Sequence, residues 1–366
     1  MSSVGIITMH RPLNVGCTLQ AYATCEVMRQ LGHKAEIIDY FYPNKVHHQN
    51  GLKRRLLHAA NVLAGFLFTG REFESRKGRF DSFMQELLPM SREYHTYQEL
   101  KENPPDYDIY CAGSDQIWNP AFIVEDDSFL CGFVPQGKKI ISFASSFGVS
   151  TLTSEQRDFY KKYLMRFSSI ATREQQGVQI IERELGLKTS RTLDPTLLLD
   201  DTFWLKMASR IKSRITKPSL VIYGASNPNG ETERLARRLA KQHGWQIVRI
   251  HGRPWQNWTP GFHYMFDVGP LEFLDCIANA KCVLTTTFHG TCFALNFGVP
   301  FYSFIEHNSP DTRIANLLTL LGLTDRLFDF GQGDAITSVT PLDNSYKKRL
   351  DTERQTSLAF LKAALS

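Results

Sequence analysis

Short apolar runs that each end in a polar, glycine-bearing turn and then enter a helix-spaced segment constrain this chain more than any other feature. Val4-Gly5-Ile6-Ile7-Thr8 leads into a turn from His10 to Gly16. Apolar residues then recur at helical spacing from Thr18 to Leu31, with Gly32 as the stop. Ala35 to Tyr40 reads as the next strand and completes a βαβ unit. The pattern repeats at Asp106–Ala112, Lys138–Ala144 and Ser168–Thr172, and restarts after Pro218 with Leu220–Gly224 and Trp245–Ile250. Its clearest instance is Ala280 to Tyr302: strand, threonine-rich turn, apolar helix, Gly298-Val299-Pro300, and a further strand. Strands alternating with helices build parallel sheets covered on both faces. The restart predicts an α/β chain of two Rossmann-like domains facing each other across a cleft, at 1–200 and 201–366. The last amphipathic helix, about 345–365, is expected to return and brace the first domain. At 366 residues and 42% apolar content the chain can fill two cores.

Composition narrows the functional classes. The seven cysteines are scattered without C-x-x-C pairs, which reads as reduced thiols in a reducing compartment. A net charge of +5 without a basic stripe interleaved with aromatics gives no sign of nucleic-acid binding, and it suits an anionic substrate or membrane surface. No run approaches the ~20 apolar residues of a membrane span. The start of the sequence enters a strand without a charged leader, so a cytoplasmic protein is expected. Lys53 to Phe83 is basic and apolar: either an amphipathic helix in peripheral contact with the inner face of the membrane, or helices packed on the first domain with solvated arginines. His47 and His48 are adjacent, a poor spacing for one helix face, and Asp126-Asp127 lacks the context of a metal-bound nucleotide-sugar site, so neither metal nor cofactor is expected.

Open α/β sheets bind ligands beyond the carboxyl ends of their strands, which directs attention to the turns. Thr285-Thr286-Thr287, followed by His289-Gly290 at a helix start, reads as an anion pocket, because first-turn N–H groups lack intrahelical partners and the helix dipole favours negative charge. The plainer reading is a capping threonine and a histidine that packs. Asn14 and Gly16 either present N–H groups to a phosphate or carboxylate or simply turn the chain. Ser114, Asp115 and Gln116 close another strand, where Asp115 either handles a sugar hydroxyl proton or caps. Arg173-Glu174 follows a third strand end, and its guanidinium either grips an anion bidentately or pairs with a neighbouring acid. Arg313 stands near the start of a short helix, and Trp255, Trp258 and Tyr264 either stack on sugars or pack inside.

Six motifs in order carry a family likeness. Asn14-Val15-Gly16-Cys17-Thr18-Leu19-Gln20-Ala21-Tyr22-Ala23, Gly113-Ser114-Asp115-Gln116-Ile117-Trp118-Asn119-Pro120, Ser142 to Gly148, Thr172-Arg173-Glu174, Leu193-Asp194-Pro195-Thr196 and Thr286-Thr287-Phe288-His289-Gly290-Thr291 together resemble the polysaccharide pyruvyl transferase family. The resemblance runs from Gly5 to near Leu365. It implies a fold similar to that of GT-B glycosyltransferases. The implied activity moves the pyruvyl group of phosphoenolpyruvate to an oligosaccharide or lipid-linked saccharide in bacterial surface polysaccharide synthesis, usually as a cyclic ketal, with phosphate released. For that chemistry His289, whose imidazole changes protonation near neutral pH, is the candidate acid or phosphate partner, Asp115 and Glu174 are the candidate bases, and His10, Asn14, Gly16, Gln20, Ser114, Gln116, Arg173, Thr287, Gly290 and Arg313 are the candidate substrate-binding residues, with Lys281 as a further cation. Some branches carry arginine where this chain has Thr287, so Arg313 or Arg173 is expected to replace that contact. A nucleotide-sugar glycosyltransferase and a non-catalytic saccharide-binding protein are the alternatives, because fold alone does not choose between them.

Overall fold

The computed structural model describes residues 1–42, 74–123, 126–224, 230–250, 259–307, 309 and 312–366. His47, His48, Trp255, Trp258, Asp311 and most of the basic segment, 53–73, lie outside them.

Two all-parallel sheets form the frame. The first contains β1 (Ser3–Ile7), β2 (Lys34–Tyr40), β3 (Met90–Tyr94), β4 (Ile109–Ala112) and β5 (Lys139–Ser142), in spatial order β3-β2-β1-β4-β5. A short pair, β6 (Ala171–Thr172) and β7 (Ser190–Arg191), is bridged to the end of β5 through Ile141 and Ser145. The second contains β8 (Ser219–Tyr223), β9 (Gln246–Ile250), β10 (His263–Met265), β11 (Cys282–Thr285), β12 (Phe301–Ile305) and β13 (Leu327–Asp329), in order β10-β9-β8-β11-β12-β13. Every residue of β4 and of β11 is buried, which is why the sequence shows continuous apolar runs there and no in-out alternation.

The crossovers are α1 (Val15–Gln30), α2 (74–87 among described residues), α3 (Tyr97–Glu102), α4 (Ser154–Leu164), α5 (Gln175–Gln179), α6 (Asp201–Ala208), α7 (Glu231–His243), α8 (Pro270–Ala278), α9 (Phe288–Phe297), α10 (Arg313–Leu321) and α11 (Ser345–Leu365). Side chains of Asn14, Thr96, Thr153, Asp200 and Thr287 cap their helices, and Gly244, Gly298 and Gly322 end theirs in the left-handed conformation. Phe288 to Asn296 is buried throughout, so α9 is a core helix with no solvated stripe.

The halves are closely joined. One buried cluster draws on both, from Val4, Leu19 and Phe80 to Val221, Val283 and Phe293, and Trp204 meets Phe293 edge-on at 5.0 Å. Arg76 and Arg79 of α2, solvated in one of the two readings of the basic segment, are drawn inward. Arg76 donates to Leu13 O, and Arg79 pairs with Asp267 and Glu272 in the second half. Along α11, Ser357 accepts from Leu193 N, Arg354 donates to Leu197 O and Asn296 Oδ1, and Tyr346 donates to Leu295 O. No described helix is long and apolar enough to cross a membrane.

In each sheet the chain first runs outward in one direction and then in the other. The crevices where it reverses lie between the carboxyl ends of β1 and β4 and between those of β8 and β11. These two crevices supply the residues of the site.

Candidate functional site

Arg173 sits at the centre, immediately after β6. Its side chain is wholly buried, with Nη1 donating to Asp194 Oδ2 at 2.8 Å and Nη2 to Asp115 Oδ1 at 3.0 Å. Its guanidinium carbon stands 4.6 Å from the centroid of Phe288. Asp194 caps a short 3-10 turn begun by Pro195. Its carboxylate also accepts from Ser114 Oγ at 2.9 Å, Thr196 N at 3.0 Å and Thr196 Oγ1 at 2.7 Å. Burial would raise its pKa, yet His289, Arg173 and the Thr196 hydroxyl outweigh burial and hold the carboxyl far below the usual range.

Asp115 follows β4 with φ of 76°, a left-handed conformation that aspartate tolerates better than most residues. Oδ1 accepts from Gln116 N and Arg173, and Oδ2 from Cys17 Sγ at 3.0 Å. Burial acts upward on its pKa, but the charges of Arg173, His289 and Arg313 bring it down to about 2. Glu174 behaves oppositely. It is 2% exposed, and burial outweighs the opposing pull of Arg173 and Arg313, so its carboxyl titrates above the ordinary range. Phe147 N donates to Oε1 at 3.1 Å, while Oε2 stands 3.9 Å from Arg173 Nε and makes no hydrogen bond among the described residues.

From the second half, α9 delivers His289 in its first turn. Nε2 lies 3.7 Å from Asp194 Oδ2, too far for a hydrogen bond, and makes no hydrogen bond among the described residues. The ring rests on Gly16 of α1, where a β-carbon would stand 2.2 Å from Nδ1, so no other residue fits position 16 without moving the imidazole. Arg313 opens α10 and reaches across to within 3.9 Å of Asp115 Oδ1. With its amide oxygen turned toward that guanidinium, Gln116 accepts from Nη1 at 3.0 Å. Phe288 thus has two arginines near its ring, the Arg313 guanidinium carbon being 5.6 Å from its centroid. Asn316 Nδ2 donates to Gln176 Oε1 at 2.9 Å and ties α10 to α5.

Gly16, Ser114, Asp115, Gln116, Arg173, Glu174, His289 and Arg313 therefore converge. Other candidate residues are placed in different work. His10 is fully buried, its ring nitrogens against Thr8 O at 3.0 Å and Asp39 Oδ1 at 2.9 Å. Gln20 is equally buried and its amide nitrogen bonds Thr8, Met9 and Cys17, which fixes the first turn from beneath. Asn14 caps α1 by accepting from Gly16 N and Cys17 N, so those N–H groups point to its side chain. Thr287 likewise takes Gly290 N. A β-carbon at Gly290 would meet Thr285 Oγ1 at 2.2 Å, so threonine hydroxyls, not a ligand, need the space there. Lys281 is exposed and precedes β11, at the amino end of the strand whose carboxyl end carries the site. For Arg173 the ion-pair reading holds: its Nη groups are committed to two aspartates.

Three residues of the cluster were not singled out by sequence reasoning. Asp194 read as the end of a domain, although an acid capping a Pro-Thr turn after a strand was a visible signal. Cys17 and Phe288 carried no signal beyond membership in the motifs. Among the described residues no group of three or more His, Cys, Asp or Glu side chains is arranged to hold a metal ion.

The polysaccharide pyruvyl transferase family matches residues 14–308, which span every residue named in the cluster except Arg313. None of the curated proteins compared with the chain matches it in sequence. Among solved structures, UDP-N-acetylglucosamine 2-epimerase from Rickettsia bellii is similar with a TM-score of 0.52 at 12% identity, covering 99% of this chain and 96% of that one. S. aureus MnaA, solved with UDP, gives 0.52 at 11% identity over 97% and 91%. At such identity these likenesses speak for the fold, and they agree with the two-domain Rossmann-like architecture. On the match over most of its length, the chain belongs to the polysaccharide pyruvyl transferase family.

Proposed function

We propose that the cleft takes phosphoenolpyruvate and transfers its pyruvyl group to a saccharide, forming a ketal and releasing phosphate. The observation that carries this reading is the meeting of both crevices on buried polar atoms that make no hydrogen bond among the described residues. His289 Nε2 and Thr286 Oγ1 come from the second half, and Arg173 Nε and Glu174 Oε2, 3.9 Å from each other, from the first. Buried polar atoms without a hydrogen bond are rare in proteins, and their gathering where the two crevices face each other fits a polar ligand or water held between them. The first-turn N–H groups of Phe288 and His289 have no intrahelical acceptors and add anion-binding capacity.

In the proposed reaction a proton adds to the methylene carbon of the donor, and positive charge develops on the carbon bearing the phosphate. A saccharide hydroxyl bonds to that carbon, the C–O bond to phosphate breaks, and a second hydroxyl closes the ketal. Of the two hydroxyl protons lost, one is balanced by the new methyl group and one leaves with phosphate. Glu174, whose burial favours the protonated form, supplies the acid, and His289 accepts or returns the hydroxyl proton beside Asp194. Asp115 is not retained as a base: a carboxylate held at about 2 and paired with Arg173 is too weak one at neutral pH. It anchors Arg173 and Arg313 instead.

Incubation with isotope-labelled phosphoenolpyruvate and a set of oligosaccharide intermediates should give an adduct of pyruvyl mass and an equal amount of phosphate. Stabilisation by a nucleoside diphosphate, with none by phosphoenolpyruvate, would favour nucleotide-sugar chemistry instead.

A further inference from the structure

A second hollow, of about 510 Å³, lies in the first half. Its walls come from loops beyond the carboxyl ends of β3 and β4 and from α4, and Tyr40 at the end of β2 bonds one of its carboxylates. It therefore shares the edge of the sheet that carries Gly16 and Asp115. Aromatic side chains of Tyr97, Phe159 and Tyr163 line it, Phe159 and Tyr163 meeting edge-on with centroids 5.2 Å apart. So do the carboxylates of Asp126, Asp127 and Glu155, and no lysine or arginine is among its described lining residues. Tyr40 donates to Asp126 and Tyr97 to Asp127, which fixes both carboxylates in place. The wall begins at Pro120, four residues after Gln116, a reach of at most ~14 Å of chain. Asn119 N donates to Gln116 O at 3.1 Å, a turn that shortens this span further.

We infer that this pocket holds the acceptor sugar unit next to the one that receives the pyruvyl group, and that this unit is neutral or cationic, never a sugar acid. The word "acceptor" rests on the pyruvyl-transfer reading above; the ligand class rests on the pocket alone. Sugar rings present apolar C–H faces to aromatic rings and hydroxyls to carboxylates, and this lining offers both. The three lining carboxylates outnumber the two ammonium groups nearest the wall, Lys162 at 5.2 Å from the Tyr163 ring and Lys101 at 5.9 Å from the Tyr97 ring, so they disfavour uronic acids and also the donor, whose phosphate and carboxylate are thereby directed to the arginine side of the cleft.

Calorimetric titration of the full chain with N,N′-diacetylchitobiose (neutral), chitobiose (cationic) and digalacturonate (anionic) tests the assignment. The first two should bind and the third should not. Phe159→Ala should weaken both by about tenfold or more. Glu155→Arg, at an exposed position, should weaken chitobiose and admit digalacturonate, and it carries the test alone if Phe159→Ala fails to fold. Phosphoenolpyruvate titrated into each variant should bind as in wild type. Failure of both the neutral and the cationic disaccharide to bind, or unchanged affinities in a folded variant, overturns the inference. Disaccharide binding through Phe159 without phosphoenolpyruvate binding would overturn pyruvyl transfer and leave the pocket standing; the converse result would do the reverse.

Discussion

Replacing Gly16 by alanine is expected to disable the site while leaving the chain folded. A methyl carbon there would stand 2.2 Å from His289 Nδ1 and 2.7 Å from its Cγ, where ordinary contact starts at 3.4 Å. The imidazole must retreat by about 1.2 Å, because α1 is fixed beneath it by the Asn14 cap and the Gln20 hydrogen bonds. A displacement of ~1 Å at a reacting group costs on the order of 10² in rate, about 2.7 kcal/mol of barrier. Stability should change less: alanine is favoured over glycine in a helix by about 1 kcal/mol, against ~1 to 3 kcal/mol for overpacking. Phosphate release from phosphoenolpyruvate with saccharide acceptors reads the first effect, and urea unfolding the second. In a His289→Ala background the space is open, and Gly16→Ala should then stabilise by about 1 kcal/mol, a coupling of roughly 1 to 3 kcal/mol between the two positions. Wild-type turnover in the single variant, or equal destabilisation in both backgrounds, would refute the reasoning.

Further outcomes follow from the buried charges. Asp194→Ala removes the best-bonded partner of a fully buried guanidinium and should destabilise the chain by about 3 to 5 kcal/mol in urea unfolding, whereas Asp194→Asn, able to keep bonds to Thr196, should lose less. Because the folded pKa of Asp115, about 2, lies below the ordinary 3.8, its contribution of about 2 kcal/mol is present above pH ~4 and disappears as pH falls through ~2. Asp194 acts in the same direction. An Asp115→Asn chain should show a flatter acid limb in stability measured against pH. Glu174 has the opposite sign, since its raised pKa means that stability is lost as pH rises above its unfolded value. Glu174→Gln should therefore be at least as stable as wild type at neutral pH, while its phosphate release falls by on the order of 10² to 10⁴.

The frame was legible because parallel strands buried on both faces have to be written as apolar runs, and each run here ended in its own turn. The turns also lie at the carboxyl edge of both sheets, where the cluster gathers. What single positions do there was harder to read, since a polar residue at a strand end looks the same whether it faces a ligand or serves the backbone. His10, Gln20 and Thr287 proved to be of the second kind, each satisfied within a few residues or by a neighbouring strand. That Lys281 stands apart from the cluster was legible from strand polarity alone, as it precedes β11 by one residue and the cluster lies beyond the strand's carboxyl end. The commitment of Arg173 depended on Asp115 and Asp194, 58 and 21 residues away in sequence, a convergence that only the folded crossovers bring about. Asp194 was missed for the same reason.

Calorimetric titration of phosphoenolpyruvate into the wild-type chain and into Arg313→Ala addresses the donor site at its junction. Arg313 comes from the second half and lies 3.9 Å from Asp115 of the first, at the mouth of the cluster. A donor held between the halves should bind wild type saturably and bind the variant about ten- to a hundredfold more weakly, as loss of a charged hydrogen bond requires, with thermal unfolding showing the variant still folded at the temperature of the titration. No binding to wild type, or equal affinity for both chains, would contradict the account.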